Sequence, residues 1–184
     1  MNTNDYLESS CTGAGYFSAA ECERIIALSE KMRPLEGGIM EDSRAAPEVR
    51  QSSVFFVDRN DDTQWLFAKL DVATTEINQV FGFEIVGIRE VQLACYRAGH
   101  FYDWHMDIGK GPLSMRKLSL SLQLSDPGSY EGGELEIQHG ESRTAPKALG
   151  TVIVFPSYLS HRVTPVTRGN RWSLVAWVHG PPFR

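Results

Sequence analysis

Two residues of types that bind metals stand close together in the middle of the chain, since His105 and Asp107 are separated by one residue. If this stretch is a strand, both side chains point to the same side of a sheet, because successive side chains alternate. His161 lies far downstream at the predicted start of another short strand. It would complete a set of two imidazoles and one carboxylate, which suits Fe(II) and leaves one face of the ion open. The sequence therefore predicts a metal site with these three ligands.

Arg171 follows His161 by ten residues, and Ser173 lies on the same face of the same predicted strand. Both faces of this strand are largely apolar, so we expect Arg171 to point into the interior. A buried guanidinium needs an anionic partner, and its planar fork suits a carboxylate held at two points. No acidic residue flanks Arg171 in sequence. We therefore expect a bound ligand carboxylate as its partner, with a salt bridge to a distant Asp or Glu as the alternative.

The elements that precede these residues are predicted to be helical. A capping-box pattern at Ser18 predicts a helix that runs to about Arg33. A second helix is expected after a cap at Asp61 or Asp62, and Gly82 is its predicted end.

The remaining pattern is one of short strands separated by turns, which favours a sandwich or jelly roll. The predicted strands lie near residues 15–17, 49–58, 84–97, 102–107, 117–124, 133–139, 151–155, 160–165 and 171–179. Residues 117–124 alternate strictly between polar and apolar side chains. We expect the four leucines of this strand to pack beneath the helices and its small polar residues to line the interior.

Length and composition indicate one globular domain over residues 1–184, with helical and loop support over about 1–83 and a jelly-roll core over about 84–181. The net charge of −5 disfavours a nucleic-acid partner. Three scattered cysteines show neither a disulfide framework nor a thiolate zinc motif. The polar start and the absence of a long apolar run lead us to expect no signal peptide, no membrane span and a cytoplasmic location.

Taken together, the motifs resemble those of the Fe(II)- and 2-oxoglutarate-dependent oxygenases. Within them, QLACYRAGHFYDWHMD is similar to the prolyl 4-hydroxylase-type subgroup, in which a tyrosine, a glycine and a second aromatic residue precede the HxD pair. Tyr96, Gly99 and Tyr102 stand at these positions here. The subgroup also has segments similar to YEGGELEI and to the closing FPSYLSHRVTPVTRGNRWSLVAWVHGP. VRQSS shows a weaker similarity to it. The motifs cover roughly residues 90–180.

The resemblance implies a fold, a cofactor and a cosubstrate. The fold would be mainly β with flanking N-terminal helices, built as a double-stranded β-helix. His105, Asp107 and His161 would bind Fe(II) and carry the catalysis. The cosubstrate 2-oxoglutarate would chelate the metal, and Arg171 would pair with its far carboxylate.

Three further residues and a reductant follow from the same resemblance. Tyr96 and Ser173 would help Arg171 to hold 2-oxoglutarate. Gln92 shares a strand face with Tyr96, so it would touch cosubstrate or substrate, or else make an ordinary interior hydrogen bond. Ascorbate would be the reductant, and an L-ascorbic acid binding site would go with it.

Departures from the relatives narrow the interpretation. Collagen-type prolyl hydroxylases usually carry lysine where Arg171 stands, so the chain resembles the arginine-using branch. Nucleic-acid demethylase relatives carry a second arginine where Trp177 stands here, and halogenating relatives lack a carboxylate at the position of Asp107. His100, His139 and His179 are not expected to bind metal.

The first hypothesis is an enzyme that hydroxylates a prolyl residue in a protein or peptide. A hydroxylase of a free amino acid or another small molecule is the alternative within the class. A jelly roll that binds a metal or ligand without catalysis is the alternative from a different class. We expect the entrance to be formed by the loops 34–53, 108–116 and 125–133, whose glycines suit mobile lids.

Overall fold

Two antiparallel sheets and two α-helices form the protein, and the computed structural model describes residues 10–36 and 48–183. The helices are α1 (Ala19–Ala27) and α2 (Gln64–Phe81), with short 3-10 turns at Leu28–Lys31, Gly111–Met115 and Pro127–Ser129. The strands are β1 (Cys11–Gly13), β2 (Leu35–Glu36), β3 (Arg50–Gln51), β4 (Ser53–Phe56), β5 (Gly87–Arg97), β6 (Phe101–His105), β7 (Arg116–Gln123), β8 (Tyr130–Gly132), β9 (Leu135–His139), β10 (Glu141–Thr144), β11 (Val152–Pro156), β12 (Ser160–Val163) and β13 (Val166–His179).

The larger sheet has the strand order β1-β11-β7-β13-β5-β4-β2, and β8 adds to it by pairing with β13. The smaller sheet has the order β10-β9-β12-β6-β3. Apart from the hairpin β9–β10, the neighbours along each sheet are separated by other elements of the chain, as in a jelly roll, and the predicted mainly β fold is confirmed. The segment before residue 84 adds β1 to β4 to these sheets as well as both helices.

The main core lies between the helices and the larger sheet. Its helical side consists of buried residues of α1 and α2, among them Ile25, Leu66 and Leu70. Its sheet side includes the four leucines at positions 118, 120, 122 and 124, as the alternation of β7 predicts. The opposite face of β7 is polar and also buried, so it lines the space between the sheets.

Helix α1 begins with the predicted capping box. The Ser18 hydroxyl accepts a hydrogen bond from the Glu21 backbone N–H, and the Glu21 carboxylate accepts one from the Ser18 N–H. Glu21 also pairs with Lys69 of α2, with 2.6 Å between Oε1 and Nζ. The hydrogen bond from Lys69, followed by the backbone N–H of Ser18, lowers the pKa of Glu21 to about 2. One carboxylate therefore caps α1 and ties it to α2.

Glu21→Gln is expected to lower the free energy of unfolding by about 1 kcal/mol or less at pH 7, since both partners are partly exposed and solvent screens the pair. The folded-state pKa lies below the ordinary value of 4.5, so this contribution is present above pH 4.5 and is lost as the pH falls towards 2. Urea unfolding of the wild-type protein and of Glu21→Gln at pH 7 and pH 3 measures the difference in the free energy of unfolding. Glu23→Gln, on the exposed side of α1, is the control, and an equal effect of the two substitutions would contradict the assignment.

Several predicted boundaries were wrong. The first strand lies at β1 rather than at residues 15–17, and the first helix gives way to a 3-10 turn after Ala27. Thr63, not Asp61 or Asp62, precedes α2, and its side chain makes no capping hydrogen bond. Gly82 ends α2 in a left-handed conformation as predicted.

The strand predicted over residues 49–58 is two strands that belong to different sheets. β3 pairs with β6 of the smaller sheet, and β4 pairs with β5 of the larger one, so the chain passes between the sheets at Ser52. The strand predicted over 133–139 begins only at Leu135, and β10 was not predicted at all. Within the described residues, no helix is long and apolar enough to cross a membrane.

Candidate active site

A cavity of about 340 Å³ lies between the two sheets. All seven predicted site residues line it: Gln92, Tyr96, His105, Asp107, His161, Arg171 and Ser173. Apolar residues complete the wall, including Leu135, Phe155, Val163 and Val175. The metal-binding residue types and the buried arginine, far apart in sequence, therefore face one space.

His105, Asp107 and His161 form one cluster whose ligand atoms all lie within 4.8 Å of one another. His105 on β6 and His161 on β12 are direct cross-strand partners, and their ring centroids are 4.1 Å apart. The Nε2 atoms of His105 and His161 lie 3.8 and 3.5 Å from the Asp107 carboxylate oxygens. These spacings suit three atoms that contact a single ion.

The imidazoles are held with the nitrogen that faces the cluster free to bind. Nδ1 of His105 is 2.8 Å from the Asp103 carbonyl oxygen, and Nδ1 of His161 is 3.0 Å from that of Leu159. A backbone carbonyl only accepts, so each Nδ1 carries the proton and each Nε2 presents its lone pair. Burial lowers the pKa of His105 to about 3, with a further effect of His161, so His105 is neutral at pH 7. The donor set therefore fits a divalent iron.

Asp107 lies just beyond the end of β6, not on the strand as predicted. The backbone N–H groups of Asp107 and Ile108 both donate to the Ser157 carbonyl oxygen, which fixes the turn. The Ser119 hydroxyl donates to Asp107 Oδ2 at 2.5 Å, and Ser157 Oγ lies 3.0 Å from that hydroxyl. Burial raises the pKa of Asp107, but the facing imidazoles and Ser119 outweigh burial and hold the pKa below its ordinary value. Asp107 is thus an ionised and oriented ligand.

Ser119→Ala is expected to weaken divalent metal binding by about 10-fold or more, because residues that orient ligands typically contribute ~10–100-fold to affinity. Titration with Mn(II) or Fe(II) under anaerobic conditions measures the dissociation constant. Ser119→Thr keeps the hydroxyl and is expected to restore affinity. Ser121→Ala, two residues along the same strand face, is the control, and an equal loss in that variant would show that the effect is not specific to the Asp107 contact.

Arg171 on β13 is 1% exposed and has only neutral partners. Its Nη1 donates to Ser173 Oγ at 3.0 Å and its Nη2 to Gln123 Oε1 at 3.1 Å, while Nε has no partner. Among the described residues no carboxylate pairs with it, so the alternative of a distant salt bridge finds no support there. Its cross-strand partner is Tyr96, and the guanidinium carbon is 5.5 Å from that ring centroid. The arrangement leaves a buried positive charge available to an anion.

Glycine at position 133 makes room for this arginine. Gly133 has a φ of +63°, and a Cβ built on it would lie 2.8 Å from Cδ of Arg171. A Cβ on the neighbouring Gly132 (φ +72°) would lie even closer to the Pro165 carbonyl oxygen. Close packing and the positive φ angles therefore explain why both positions hold glycine.

Sequence reasoning missed part of the cavity wall. Gln92 accepts a hydrogen bond from Arg50, which stands in the VRQSS segment. Arg116 donates to Glu90 and lies over the ring of Trp177, 4.0 Å from its centroid. The interior polar face of β7 was a signal for Ser119 and Gln123. No local pattern indicated that the arginines at positions 50 and 116 would turn inward.

The other predictions about this region are resolved in part. His139 is exposed, whereas His179 is buried beside Glu90. Tyr102, the second aromatic residue of the motif, stacks on His105 with ring centroids 3.5 Å apart and lines the cavity. Most of the loop 34–53 lies outside the described residues. Of the loop 108–116, Ile108, Leu113 and Arg116 reach the cavity.

Comparison with known proteins agrees with an iron site of two histidines and one aspartate. Residues 91–179 match the model of the 2OG-Fe(II) oxygenase superfamily. A PKHD-type hydroxylase from Synechococcus sp. (strain JA-2-3B'a(2-13)) is 40% identical over 96 residues, which are 50% of this chain and 43% of that relative. A PKHD-type hydroxylase from Maricaulis maris is 30% identical over 152 residues, 78% of this chain and 67% of that protein. The match to the first relatives, among them the Synechococcus protein, spans less than half of their length.

A solved structure shares the fold. It is a prolyl hydroxylase from Trichoplax adhaerens in complex with a peptide fragment of the hypoxia inducible factor oxygen degradation domain. The TM-score is 0.77 at 17% identity, and the match covers 97% of this chain and 85% of that chain. The predicted double-stranded β-helix is therefore confirmed.

Proposed function

The chain belongs to the 2OG-Fe(II) oxygenase superfamily, and from that premise we propose that it hydroxylates a prolyl residue in a protein or peptide. The reaction converts 2-oxoglutarate, oxygen and the substrate to succinate, carbon dioxide and the hydroxylated product. His105, Asp107 and His161 are the proposed iron ligands. Arg171 is the proposed partner of the far carboxylate of 2-oxoglutarate.

One observation carries this proposal: the cluster of two histidines and one aspartate shares its cavity with Arg171, a buried arginine that lacks a carboxylate partner among the described residues. The cluster alone would suit several metals and roles. The arginine adds an anion site on a different strand, facing the same space. A cosubstrate with two carboxylates, one for the metal and one for Arg171, satisfies both.

Each residue has a definite task in this reaction. His105 and His161 direct Nε2 towards the cluster because Nδ1 of each ring donates to a backbone carbonyl, and Asp107 contributes a negative charge that Ser119 orients. Arg171, supported by Ser173 and with Tyr96 opposite, fixes the cosubstrate. When bound, iron and 2-oxoglutarate supply the oxidative chemistry that inserts one oxygen atom into a C–H bond.

Burial of the cavity supports the same chemistry. Leu135, Phe155 and Val163 are buried side chains of its apolar wall. They keep the reacting groups away from bulk water, which strengthens electrostatic interactions and prevents side reactions. Burial also raises the pKa of Tyr102 to about 12, so its hydroxyl stays neutral beside the metal site.

The size of the cavity favours a substrate that inserts one residue. About 340 Å³ is near the lower end of the ~300–1,000 Å³ typical of ligand sites, and cosubstrate occupies part of it. Met106 borders the cavity and is 58% exposed, which suits contact with a peptide that continues outside. The peptide bound by the Trichoplax adhaerens protein and the hydroxylase names of the relatives point the same way. A free amino acid would also fit such a space.

The test is turnover with purified protein, Fe(II), oxygen and 2-oxoglutarate, followed by succinate formation. Panels of prolyl peptides and free amino acids are then searched by mass spectrometry for products 16 Da heavier. We expect succinate and a product modified on proline within a peptide. A product found only among free amino acids would replace the peptide proposal with the small-molecule one. Absence of succinate with every panel member would support a binding domain without catalysis.

The compartment and the other partners are also proposals. Cys22 and Cys95 are buried free thiols, and burial raises the pKa of both. Such unreactive thiols are compatible with the cytoplasm that we propose as the location. A nucleic-acid substrate is not part of the proposal, because the net charge is −5 and Trp177 replaces the arginine of the demethylase relatives.

A further inference from the structure

Arg50 is a second buried arginine of the cavity wall without a carboxylate partner in the described part of the chain. It is 6% exposed. Its Nε donates to Ser52 Oγ and its Nη2 to Gln92 Oε1, both at 2.8 Å, and both acceptors are neutral. A third arginine of the wall, Arg116, is neutralised by Glu90. No carboxylate among the described residues therefore pairs with Arg50, whose contacts are two neutral acceptors and the face of the Tyr102 ring.

A buried charge is unfavourable unless an opposite charge compensates it, and guanidinium groups bind carboxylates at two points. The cosubstrate does not fill this role in the proposed function. One carboxylate of 2-oxoglutarate goes to the metal and the other to Arg171. The charge on Arg50 is then left for the substrate.

The position of Arg50 supports this assignment. Its guanidinium carbon lies 4.5 Å from the ring centroid of Tyr102, and the Tyr102 ring stacks on His105 with centroids 3.5 Å apart. An anion at Arg50 would thus lie about one aromatic ring away from a proposed iron ligand. A group held there is adjacent to the carbon that reacts, so it belongs to the target residue or to its neighbour.

We propose that Arg50 recognises a carboxylate of the substrate next to the hydroxylated carbon. Two sources have this chemistry: an Asp or Glu side chain beside the target proline, and the terminal carboxylate of a proline at the end of a peptide chain. Gln92 and Ser52 orient the guanidinium towards that carboxylate. The inference rests on the proposed function, since it assigns the substrate class of the same site.

The experiment compares probes that differ only in charge. Acetyl-Gly-Pro-Asp-amide is matched with acetyl-Gly-Pro-Asn-amide, acetyl-Asp-Pro-Gly-amide with its Asn counterpart, and acetyl-Gly-Pro acid with its amide. For each pair, kcat/KM is measured, and binding to protein loaded with Mn(II) and 2-oxoglutarate is measured by calorimetry. We expect about a 10-fold or larger preference for the acid in at least one pair. The pair that shows it identifies the source of the carboxylate.

Variants assign the preference to Arg50. Arg50→Gln is expected to raise KM and the dissociation constant for the acidic probe to those of the neutral one, with little change for the neutral one. A purely structural arginine would instead weaken both probes alike. Arg162→Gln is the matched control, because Arg162 forms a partly exposed pair with Glu136 on the neighbouring strands and should leave the preference intact.

The outcomes separate this inference from the proposed function. If the wild-type protein hydroxylates and binds acidic and neutral prolyl probes equally well, the inference is overturned and the prolyl hydroxylase proposal stands. If no probe is hydroxylated but calorimetry shows the acid preference and its loss in Arg50→Gln, the prolyl proposal fails and the carboxylate site stands. Equal binding of all probes by wild-type and variant protein overturns the inference whatever the activity.

Discussion

Replacing His161 with alanine is expected to abolish succinate formation from 2-oxoglutarate. His161 is 6% exposed, and its Nε2 is 3.5 Å from Asp107. The variant would leave His105 and Asp107 as the only two ligands in a cavity that now admits additional water. Substitution of a residue that only orients a ligand typically lowers metal affinity or activity by ~10–100-fold. We therefore expect removal of a ligand itself to lower metal affinity and turnover by more than about 100-fold. Anaerobic Fe(II) titration and a succinate assay measure these two quantities.

The matched control is His139→Ala, which removes an exposed histidine from the adjacent strand β9. It is expected to keep wild-type turnover. Thermal unfolding of the metal-free proteins shows whether His161→Ala still folds, so that loss of metal binding is not confused with loss of structure. Turnover in folded His161→Ala close to the wild-type level would rule out the proposed ligand set.

The residues of the proposed metal site could be predicted from sequence, although one reason for their grouping was wrong. Alternation along a strand does not place His105 and Asp107 together, since β6 ends at His105. The Asp107 carboxylate is placed beside the two imidazoles by a turn after β6. The N–H groups of Asp107 and Ile108 fix this turn by donating to the carbonyl oxygen of Ser157, which is distant in sequence. The HxD spacing therefore indicated the right residues only together with His161 and Arg171 downstream, because the turn that positions Asp107 depends on tertiary contacts.

The site around Arg50 shows where local patterns stop being informative. The segment VRQSSVFFVD was predicted as one strand because of the apolar run Val54, Phe55, Phe56 and Val57 in its centre. The break at Ser52 arises because β3 finds its partner in β6 and β4 finds its own in β5. Strand partners that are distant in sequence cannot be predicted from the local residue pattern. The inward direction of Arg50 depends on the break at Ser52, so it could not be predicted either. By contrast, the capping box at Ser18 is a local interaction and was predicted correctly.

Arg171→Ala is expected to lose most of its affinity for 2-oxoglutarate while it keeps the metal. Breaking a buried charge pair by removal of one partner typically costs ~3–5 kcal/mol, a factor of roughly 100 to 5,000 in the dissociation constant. The loss is expected in this range because Arg171 is almost fully buried and its other hydrogen bonds go to neutral acceptors. Calorimetric titration of Mn(II)-loaded protein with 2-oxoglutarate measures it.

The metal affinity of the variant distinguishes loss of cosubstrate binding from loss of folded structure. Arg171 donates its hydrogen bonds to Ser173 and Gln123 and to none of the three proposed metal ligands. The Mn(II) dissociation constant of Arg171→Ala should stay close to that of the wild-type protein. Arg171→Lys keeps a charge but loses the planar fork, so we expect an intermediate affinity for 2-oxoglutarate. Arg162→Ala is the surface control. Unchanged 2-oxoglutarate affinity in Arg171→Ala would mean that another cation binds the cosubstrate carboxylate. Arg50, which is buried and has only neutral partners among the described residues, would be the first to test.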